Sequence, residues 1–242
     1  MIGLYYDLHL HSCLSPCGDD DMTPANIVGM AAVKGLEVIA LTDHNSCRNC
    51  PAALHHGNNY GVIVIPGMEL CTMEEVHVIC LFPTLKDALD FEAYVYTHML
   101  PVKNDEKIFG KQQIMDEDDQ VTGTVENLLI NATDISFDDA FSLVEAYHGI
   151  AYPAHVDKNS TSILSNLGFV PPDSTFTCAE LHDLKNLHRI MKEHPYFQKC
   201  HIICSSDAHY LEDIHEPEYQ LFSESRQIKD ILRAIEKGTG TD

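Results

Sequence analysis

Basic residues are scarce in this 242-residue chain. It contains 15 Lys and Arg against 37 Asp and Glu, which gives a formal net charge of −22 at pH 7. A protein whose main task is to hold nucleic-acid backbone or anionic lipid needs a basic surface. The composition therefore predicts that neither long nucleic acids nor membranes are partners of this protein.

Two kinds of segment are also missing. No stretch of about 18 apolar residues occurs, so the sequence predicts no membrane-spanning helix. The first residues lack the basic region and the long apolar region of a signal peptide, because Asp7 and His9 follow at once. We therefore expect a cytoplasmic protein whose nine Cys are thiols or metal ligands rather than disulfides.

Histidine is unusually common. Its 15 copies equal the total of Lys and Arg, whereas Trp is absent. Such an excess consists either of scattered residues or of ligands, and the positions along the chain decide between the two.

Short apolar segments alternate with helical patterns along the chain. The segments are rich in Val and Ile and are bounded by turn residues, as buried strands are; they cover 36–42, 61–66, 76–81, 150–153, 176–181 and 201–205. Helices are predicted after the N-caps Thr23 and Ser136, over 84–99 and 183–194, and over 226–237. This alternation predicts one α/β domain over 1–242 with a mainly parallel sheet, either open or closed into a barrel.

Residues 100–135 interrupt the alternation. The stretch has few large apolar residues and includes an acidic run at 116–119. It predicts an insertion or a lid, and a long solvated loop fits the same composition.

Histidines and carboxylates recur at one place in successive units, in a predicted strand or just after it. They are His9 and His11 near the N-terminus, Asp43 and His44, Glu69, His77, His155, and Asp207 and His209. His9 and His11 are two apart in an extended segment, so their side chains point to the same face. Because the carboxyl ends of parallel strands converge on one mouth of an α/β barrel, this pattern predicts a metal site there.

The motifs that contain these residues resemble those of the PHP family, named for polymerase and histidinol phosphatase. The resemblance lies in DLHLHS (7–12), LTDHN (41–45), PGMEL (66–70), VHV (76–78), PAHVD (153–157) and SSDAH (205–209). It implies a distorted (β/α)7 barrel that holds two or three divalent metal ions, Zn, Mn or Fe, and hydrolyses phosphoesters. The ligand positions it implies are His9, His11, His44, Glu69, His77, His155, Asp207 and His209.

A further ligand is expected between His11 and Pro24, where the family often has an Asp. The segment is longer here, and counting back from Pro24 selects Asp19. Asp20, Asp21 and Cys17 stay open as alternatives. A hard carboxylate suits Mn or Fe, which favours Asp19.

Charge explains why this ligand set suits phosphoester hydrolysis. Asp19, Glu69 and Asp207 supply three negative charges, and three divalent ions outweigh them, so a phosphate dianion is attracted into an otherwise acidic protein. Metal ions also activate a water molecule for in-line attack on phosphorus. The mixture of imidazole and carboxylate favours Mn, Fe or Zn over Mg or Ca.

Four other residues are candidates for catalysis or phosphate binding. Asp43 precedes a ligand histidine and either holds that ligand or belongs to a turn. Arg48 and Lys158 are the cations that directly follow ligand motifs, so we expect them to contact the substrate phosphate. His182 follows a predicted strand and is either a general acid for the leaving oxygen or a surface histidine.

Four cysteines flank two of the ligand motifs. Cys13 and Cys17 lie beside the first motif, and Cys47 and Cys50 beside the second. Their spacing is compatible with an additional metal centre or a redox disulfide, although the first pair is not CxxC and the thiols of the second fit packing beneath a loop.

Three functions are compatible with these features. The first is hydrolysis of a phosphate ester of a small metabolite or nucleotide. The second is an exonuclease or nucleotide-end phosphatase acting on short oligonucleotides, and the third is a non-catalytic metal-binding regulatory module. The leading prediction is the first, with a small phosphorylated substrate as the partner.

Overall fold

The computed structural model describes residues 1–238 and shows a mixed α/β fold. The predicted domain runs to residue 242, so 239–242 lie outside the described residues. The strands are β1 (Ile2–Leu10), β2 (Val38–Leu41), β3 (Ile63–Cys71), β4 (His77–Leu81), β5 (Gln113–Met115), β6 (Val121–Thr124), β7 (Ile150–Pro153), β8 (Cys178–Leu181), β9 (His201–Cys204) and β10 (Gln220–Ser223). The α-helices are α1 (Pro24–Lys34), α2 (Cys50–Tyr60), α3 (Leu85–His98), α4 (Glu106–Phe109), α5 (Phe137–Ala146), α6 (Ile163–Asn166), α7 (Leu187–Glu193) and α8 (Ile228–Lys237).

The strands form a six-stranded sheet in the order β10-β1-β2-β3-β4-β7 and a separate parallel pair, β8-β9. The backbone after β9 returns to β1, because Ala208 bridges Leu10 in parallel fashion and the His11 N–H donates to the Ala208 carbonyl at 3.1 Å. The carboxyl ends of β1 and β9 therefore meet, and the strands curve around a common interior.

The prediction of a mainly parallel sheet needs a correction. The β1-β2, β2-β3 and β8-β9 pairs are parallel, whereas β4 is antiparallel to both of its neighbours and β10 is antiparallel to β1. The link between β3 and β4 is only a few residues long, so β4 follows as a hairpin, and a parallel crossover needs a dozen or more residues. The mixed α/β class is confirmed, but these strand pairings are not those of a regular (β/α)7 barrel.

The core lies on both faces of the curved sheet, as the alternation of side chains along a strand requires. In β2, Val38 and Ala40 face the interior with residues of β1, β3 and β4, and α8 packs against that cluster. Ile39 and Leu41 face outward and pack beneath α1, α2, α3 and α5. None of the helices within 1–238 combines the length and the apolar character that a membrane crossing needs.

The stretch 100–135 is built from α4 and the β5-β6 hairpin, so it is more than a solvated loop. It has a small apolar cluster in which Val125 and Leu129 pack with Leu14 and Met99. The Gln113 N–H donates to the Cys13 carbonyl at 3.0 Å, and the Lys111 ammonium lies 3.1 Å from Asp20. The insertion is therefore joined to the loop that follows β1.

Candidate metal centre

Histidines and carboxylates from six strand ends meet in one buried cluster. His9 is the last residue but one of β1, and His11 directly follows that strand. His44 follows β2, Glu69 lies in β3 and His77 begins β4. His155 follows β7, and both Asp207 and His209 follow β9. Because β4 is antiparallel to β3, its first residue pairs with the last residue of β3, Cys71. The hairpin thus brings His77 to the same mouth as the ends of the parallel strands.

Glu69 is at the centre of the cluster and is 1% exposed. Its Oε1 lies 2.7 Å from His77 Nδ1, 3.0 Å from His155 Nε2 and 3.3 Å from His9 Nε2. Its Oε2 lies 2.9 Å from His44 Nδ1 and 3.3 Å from His11 Nε2. One carboxylate therefore contacts five imidazoles, which is the arrangement of a ligand shared between two metal ions.

Asp207 forms a second acidic contact at the same mouth. Its Oδ1 lies 3.2 Å from His9 Nε2 and 3.1 Å from His11 Nε2, and those two nitrogens are 3.1 Å from each other. His209 stacks on His11 with ring centroids 4.3 Å apart. The donor atoms of the two strand-end histidines thus converge on one point beside a carboxylate.

Unpartnered polar atoms test whether the site fits metal ions. Glu69 Oε2, His44 Nδ1 and Asp207 Oδ1 are buried without a hydrogen bond of normal geometry. Native proteins rarely leave such atoms unsatisfied, because each one costs about 1–3 kcal/mol. Donor atoms within 4.8 Å of one another form three groups among residues 1–238: His9, His11, Glu69 and Asp207; His44, Glu69 and His77; and His11, His44 and His209. These residues fit divalent metal ions.

The charges in the cluster are strongly coupled. Burial works against the ionised carboxylate of Glu69, but the surrounding histidines, His77 above all, hold its pKa well below the usual range. Burial also disfavours a charged His77, yet Glu69 raises the pKa of that imidazole to about 10. Burial lowers the pKa of His44 to about 3 and that of His209 to about 4, and the charge of His11 adds to both shifts. Ionised carboxylates beside neutral imidazoles are the forms that coordinate metal, and metal binding displaces the remaining protons.

Asp43 is in a supporting position. Its carboxylate is 1% exposed and accepts hydrogen bonds from the Ser12 N–H, the Ser12 hydroxyl and the Ser15 hydroxyl, each at 2.7 Å. The Ser15 oxygen lies 2.9 Å from His11 Nδ1 and accepts from the His44 N–H at 3.1 Å. Asp43 is therefore placed to orient two ligand histidines through Ser15, and a direct part in catalysis stays an untested prediction.

Glu180 supports the site from β8 and was not singled out from the sequence. It is 0% exposed, and its Oε1 lies 2.9 Å from His9 Nδ1 and accepts from the His155 N–H at 3.0 Å. A carboxylate that binds the second nitrogen of a ligand histidine fixes the tautomer and the orientation of the ring. The signal available in the sequence was an acidic residue inside an otherwise apolar predicted strand.

Two ligand positions have an uncommon backbone conformation. His155 has φ 29° and Asp207 has φ 54°, in the left-handed region that non-glycine residues rarely adopt. Such residues cost about 1–3 kcal/mol each and are concentrated at functional sites. The turns that follow β7 and β9 therefore hold these two side chains in directions that a relaxed chain would not adopt.

The loop after His11 does not place Asp19 among the ligands. Asp19 Oδ1 accepts from the Asp21 N–H at 2.9 Å, and no contact within 1–238 joins its carboxylate to a histidine. Asp20 contacts Lys111 and Gln113 instead. The choice of Asp19 by counting residues fails because the direction of a side chain in a long loop depends on its turns.

The two predicted phosphate-binding cations have different positions. The Arg48 Nε lies 2.9 Å from Glu92 Oε1, and its guanidinium stacks over Tyr96 at 5.1 Å, so Arg48 is occupied outside the cluster. The Lys158 ammonium contacts Asp207, one of the clustered carboxylates. The structure brings Lys158 to the site and does not bring Arg48 there.

His182 lies at the rim of the cluster. The residue is exposed, and its backbone N–H donates to Asp157 Oδ1 at 2.7 Å. Partial burial and the charge of Lys158 lower the pKa of His182, whereas Asp207 opposes that shift. Asp157, which accepts that hydrogen bond, directly precedes Lys158, and Lys158 contacts Asp207, so His182 lies near the entrance to the cluster.

The four cysteines that flank the ligand motifs do not form a thiol cluster. Cys47 donates to the Gly67 carbonyl at 3.1 Å and Cys50 is buried beside the same carbonyl, whereas Cys13 faces the Gln113 carbonyl. Cys17 is exposed and lies next to His209. None of the three ligand groups found within 1–238 contains a cysteine, and all nine thiols are free.

Comparison with known proteins adds a family and a fold. The family model described as PHP domain matches residues 7–235. The 5′-3′ exoribonuclease Rnm of Salmonella typhimurium is 32% identical over 94 residues, which cover 35% of this chain and 31% of that protein. The lesion-specific endonuclease Q of Pyrococcus furiosus has the same fold with a TM-score of 0.71 at 18% identity, over 99% of this chain and 57% of that one.

A second structure of endonuclease Q contains a 27-mer duplex with an abasic lesion at the active site, and it matches with a TM-score of 0.69 at 17% identity, over 99% of this chain and 58% of that one. The present chain thus spans less than two thirds of the length of these relatives.

These findings overturn the prediction about partners. The sequence predicted a small phosphorylated substrate and excluded long nucleic acid, whereas the similar proteins include an exoribonuclease and an endonuclease that is bound to a 27-mer duplex. The exclusion is wrong because it used the net charge of the whole chain. Binding depends on the potential at the site, where metal ions are the largest local charges.

Proposed function

Because this chain belongs to the PHP domain family, we propose that it is a metal-dependent phosphoric ester hydrolase that cleaves phosphodiester bonds of nucleic acid. The observation that carries this proposal is the convergence of six imidazoles on Glu69 and Asp207 at one mouth of the curved sheet. We also retain as a proposal that the sheet is the distorted (β/α)7 barrel implied by the motifs.

The chain's own residues supply the binding and the orientation. The imidazoles and the two central carboxylates would hold two or three divalent ions, with Mn, Fe and Zn as the candidates. Such ions, when bound, stabilise charge on phosphoryl oxygens and lower the pKa of a water molecule. Glu180 and Asp43 keep the histidine rings in place, which reduces the reorganisation required during the reaction.

Lys158 is the candidate for contact with the substrate phosphate. Its ammonium is about one-third exposed beside Asp207, so it faces both the cluster and solvent. A phosphodiester that enters the mouth would replace part of the Asp207 contact by a charge-assisted hydrogen bond. His182, at the same rim, is the candidate donor of a proton to the leaving oxygen.

Nucleic acid is favoured over a small metabolite by the relatives, which are an endonuclease and an exoribonuclease. The acidic net charge does not argue against this choice at the site itself. Glu69 and Asp207 supply two negative charges there, and even two divalent ions outweigh them.

Labelled oligonucleotides test the proposal. The protein is freed of metal with a chelator, reloaded with Mn2+, Zn2+ or Fe2+, and incubated with single-stranded DNA, RNA, and a duplex that carries an abasic site. We expect cleavage of at least one of these polymers with a higher kcat/KM than that for an aryl phosphate.

A matched pair of variants makes the test specific. His44→Ala removes a buried candidate ligand, and His55→Ala removes a partly buried histidine on α2 that contacts Glu117 and His56 and lies outside the three ligand groups found among the described residues. Cleavage should be lost in the first variant and retained in the second. A folded, metal-loaded protein that cleaves no polymer would contradict the nucleic-acid substrate, and turnover retained in His44→Ala would contradict the assignment of the site.

A further inference from the structure

Cys17 differs from the other eight cysteines of the described residues. They are all buried, whereas Cys17 is exposed, and its Sγ lies 3.1 Å from His209 Nε2. His209 belongs to the group of His11, His44 and His209. A thiol therefore lies directly beside one of the three groups of candidate ligands.

That group lacks an acidic residue, unlike the other two. The group with His9 contains Glu69 and Asp207, and the group with His77 contains Glu69. The ring centroids of His11 and His44 are 4.5 Å apart, and His44 is 5% exposed with a buried Nδ1 that has no hydrogen bond of normal geometry. This unpartnered imidazole is independent of the cysteine and indicates a cation site whose three histidines supply no negative charge.

The loop that carries Cys17 is held in one conformation. The Gly18 N–H donates to the Ser15 carbonyl at 2.9 Å, and the Asp19 N–H donates to the His209 carbonyl at 3.0 Å. A Cβ on Gly18 would lie 2.2 Å from the Ser12 carbonyl oxygen, so only glycine fits there. The backbone on the carboxyl side of Cys17 is therefore attached to His209 itself, which keeps the thiol beside the imidazole.

We propose that Cys17 is a thiolate ligand of the metal ion held by His11, His44 and His209, in the position where a carboxylate of Asp19 was expected. This inference rests on the metal centre of the proposed function and not on its substrate. Binding forms a metal–sulfur bond and releases the thiol proton to water. Because thiolate is a soft ligand, this position would prefer Zn2+ or Co2+ over Mn2+ and would distinguish one ion of the centre from the others.

Cobalt spectroscopy reads the metal–sulfur bond directly, without turnover. The full chain is freed of metal and titrated with Co2+, and a thiolate-to-cobalt charge-transfer band is followed in the near ultraviolet. We expect the band in the unaltered protein and in Cys13→Ser, whose buried thiol faces the Gln113 carbonyl, and its loss in Cys17→Ser. Absence of the band in the unaltered protein, or its persistence in Cys17→Ser, would overturn the proposal.

A second variant separates the loss of a ligand from damage to the fold. Cys17→Asp keeps an anionic donor, so it should retain the full number of Zn2+ ions per chain and lack the band, whereas Cys17→Ser should lose one ion. Equal Zn2+ content in the unaltered protein and in Cys17→Ser, at equal thermal stability, would count against coordination.

The oligonucleotide assay distinguishes a failure of this inference from a failure of the proposed function. Cleavage without the cobalt band refutes the Cys17 ligand and leaves the nuclease proposal intact. Observation of the band without cleavage of any polymer supports Cys17 as a metal ligand and contradicts nucleic acid as the substrate.

Discussion

At the scale of single residues, two buried carboxylates of the site differ in how their oxygens are satisfied. Glu69 contacts five imidazoles, and its second oxygen has no hydrogen bond of normal geometry. The carboxylate of Asp43 accepts hydrogen bonds from three donors within the protein, so it is not free to contact a substrate. Glu69 and Asp43 therefore have different roles, although both lie within the ligand motifs. Burial does not distinguish them, because both are 1% exposed.

Replacing Glu69 tests its role as the shared ligand. Glu69→Gln keeps the size and removes the charge between the two groups that contain it. Metal content should fall, and kcat/KM should fall by more than about 100-fold, because loss of even a supporting partner costs about 10–100-fold. Elemental analysis and the oligonucleotide assay measure both quantities. Glu126→Gln, at an exposed position near Lys103, is the control and should change neither.

His182 gives a prediction about pH. Partial burial and Lys158 lower its pKa below the usual 6.5, so a protonated His182 is present only at acidic pH. If it donates the proton to the leaving oxygen, the kcat contribution of His182 is lost as pH rises through that pKa. His182→Gln should remove this alkaline decrease for oligonucleotides and have little effect on an aryl phosphate, whose leaving group needs no proton. His188→Gln, exposed on α7, is the matched control; an unchanged pH profile in His182→Gln would contradict the role.

At the scale of elements, the insertion and the loop after β1 stabilise each other. Asn49 is fully buried between them: its Oδ1 accepts from the Met115 N–H at 2.9 Å, and its Nδ2 donates to the Ser12 hydroxyl at 2.9 Å. Because Ser12 also binds Asp43, the insertion is connected through Asn49 to the residues that orient His11. Whether the insertion also opens and closes as a lid stays a prediction.

Truncating Asn49 should weaken this connection. Asn49→Ala leaves the buried Met115 N–H without its partner, at a cost of about 1–3 kcal/mol in the free energy of unfolding. Urea denaturation measures that loss, with the exposed Asn58→Ala as control. A loss equal to that of the control would show that the insertion does not depend on Asn49.

At the scale of the whole molecule, metal should contribute to stability, because its ligands come from strands spread between β1 and β9. A metal ion at about 1,000 times its Kd stabilises the native state by about 4 kcal/mol, which raises the Tm of a chain of this length by about 8–16 °C. Differential scanning fluorimetry with and without chelator measures the shift. The shift should be small in Glu69→Gln, and an unchanged Tm in the unaltered protein would argue against metal ions that join the strand ends.

The mixed α/β class, the family and most of the clustered residues could be predicted from the amino-acid sequence. This was possible because each ligand occupies the end of a strand: His9, His44, Glu69 and His155 are placed by a pattern of period two and by the convergence of parallel strands. His77 reached the same mouth by another route, since a short hairpin makes β4 antiparallel.

The side chains outside the strands that reach the site became apparent from the folded chain. The fold turned Asp19 into its own loop, placed Cys17 against His209, paired Arg48 with Glu92, and brought Glu180 behind His9. The physical reason is that a loop side chain has no fixed period: its direction follows from backbone turns and from partners far away along the chain, and the sequence does not display these.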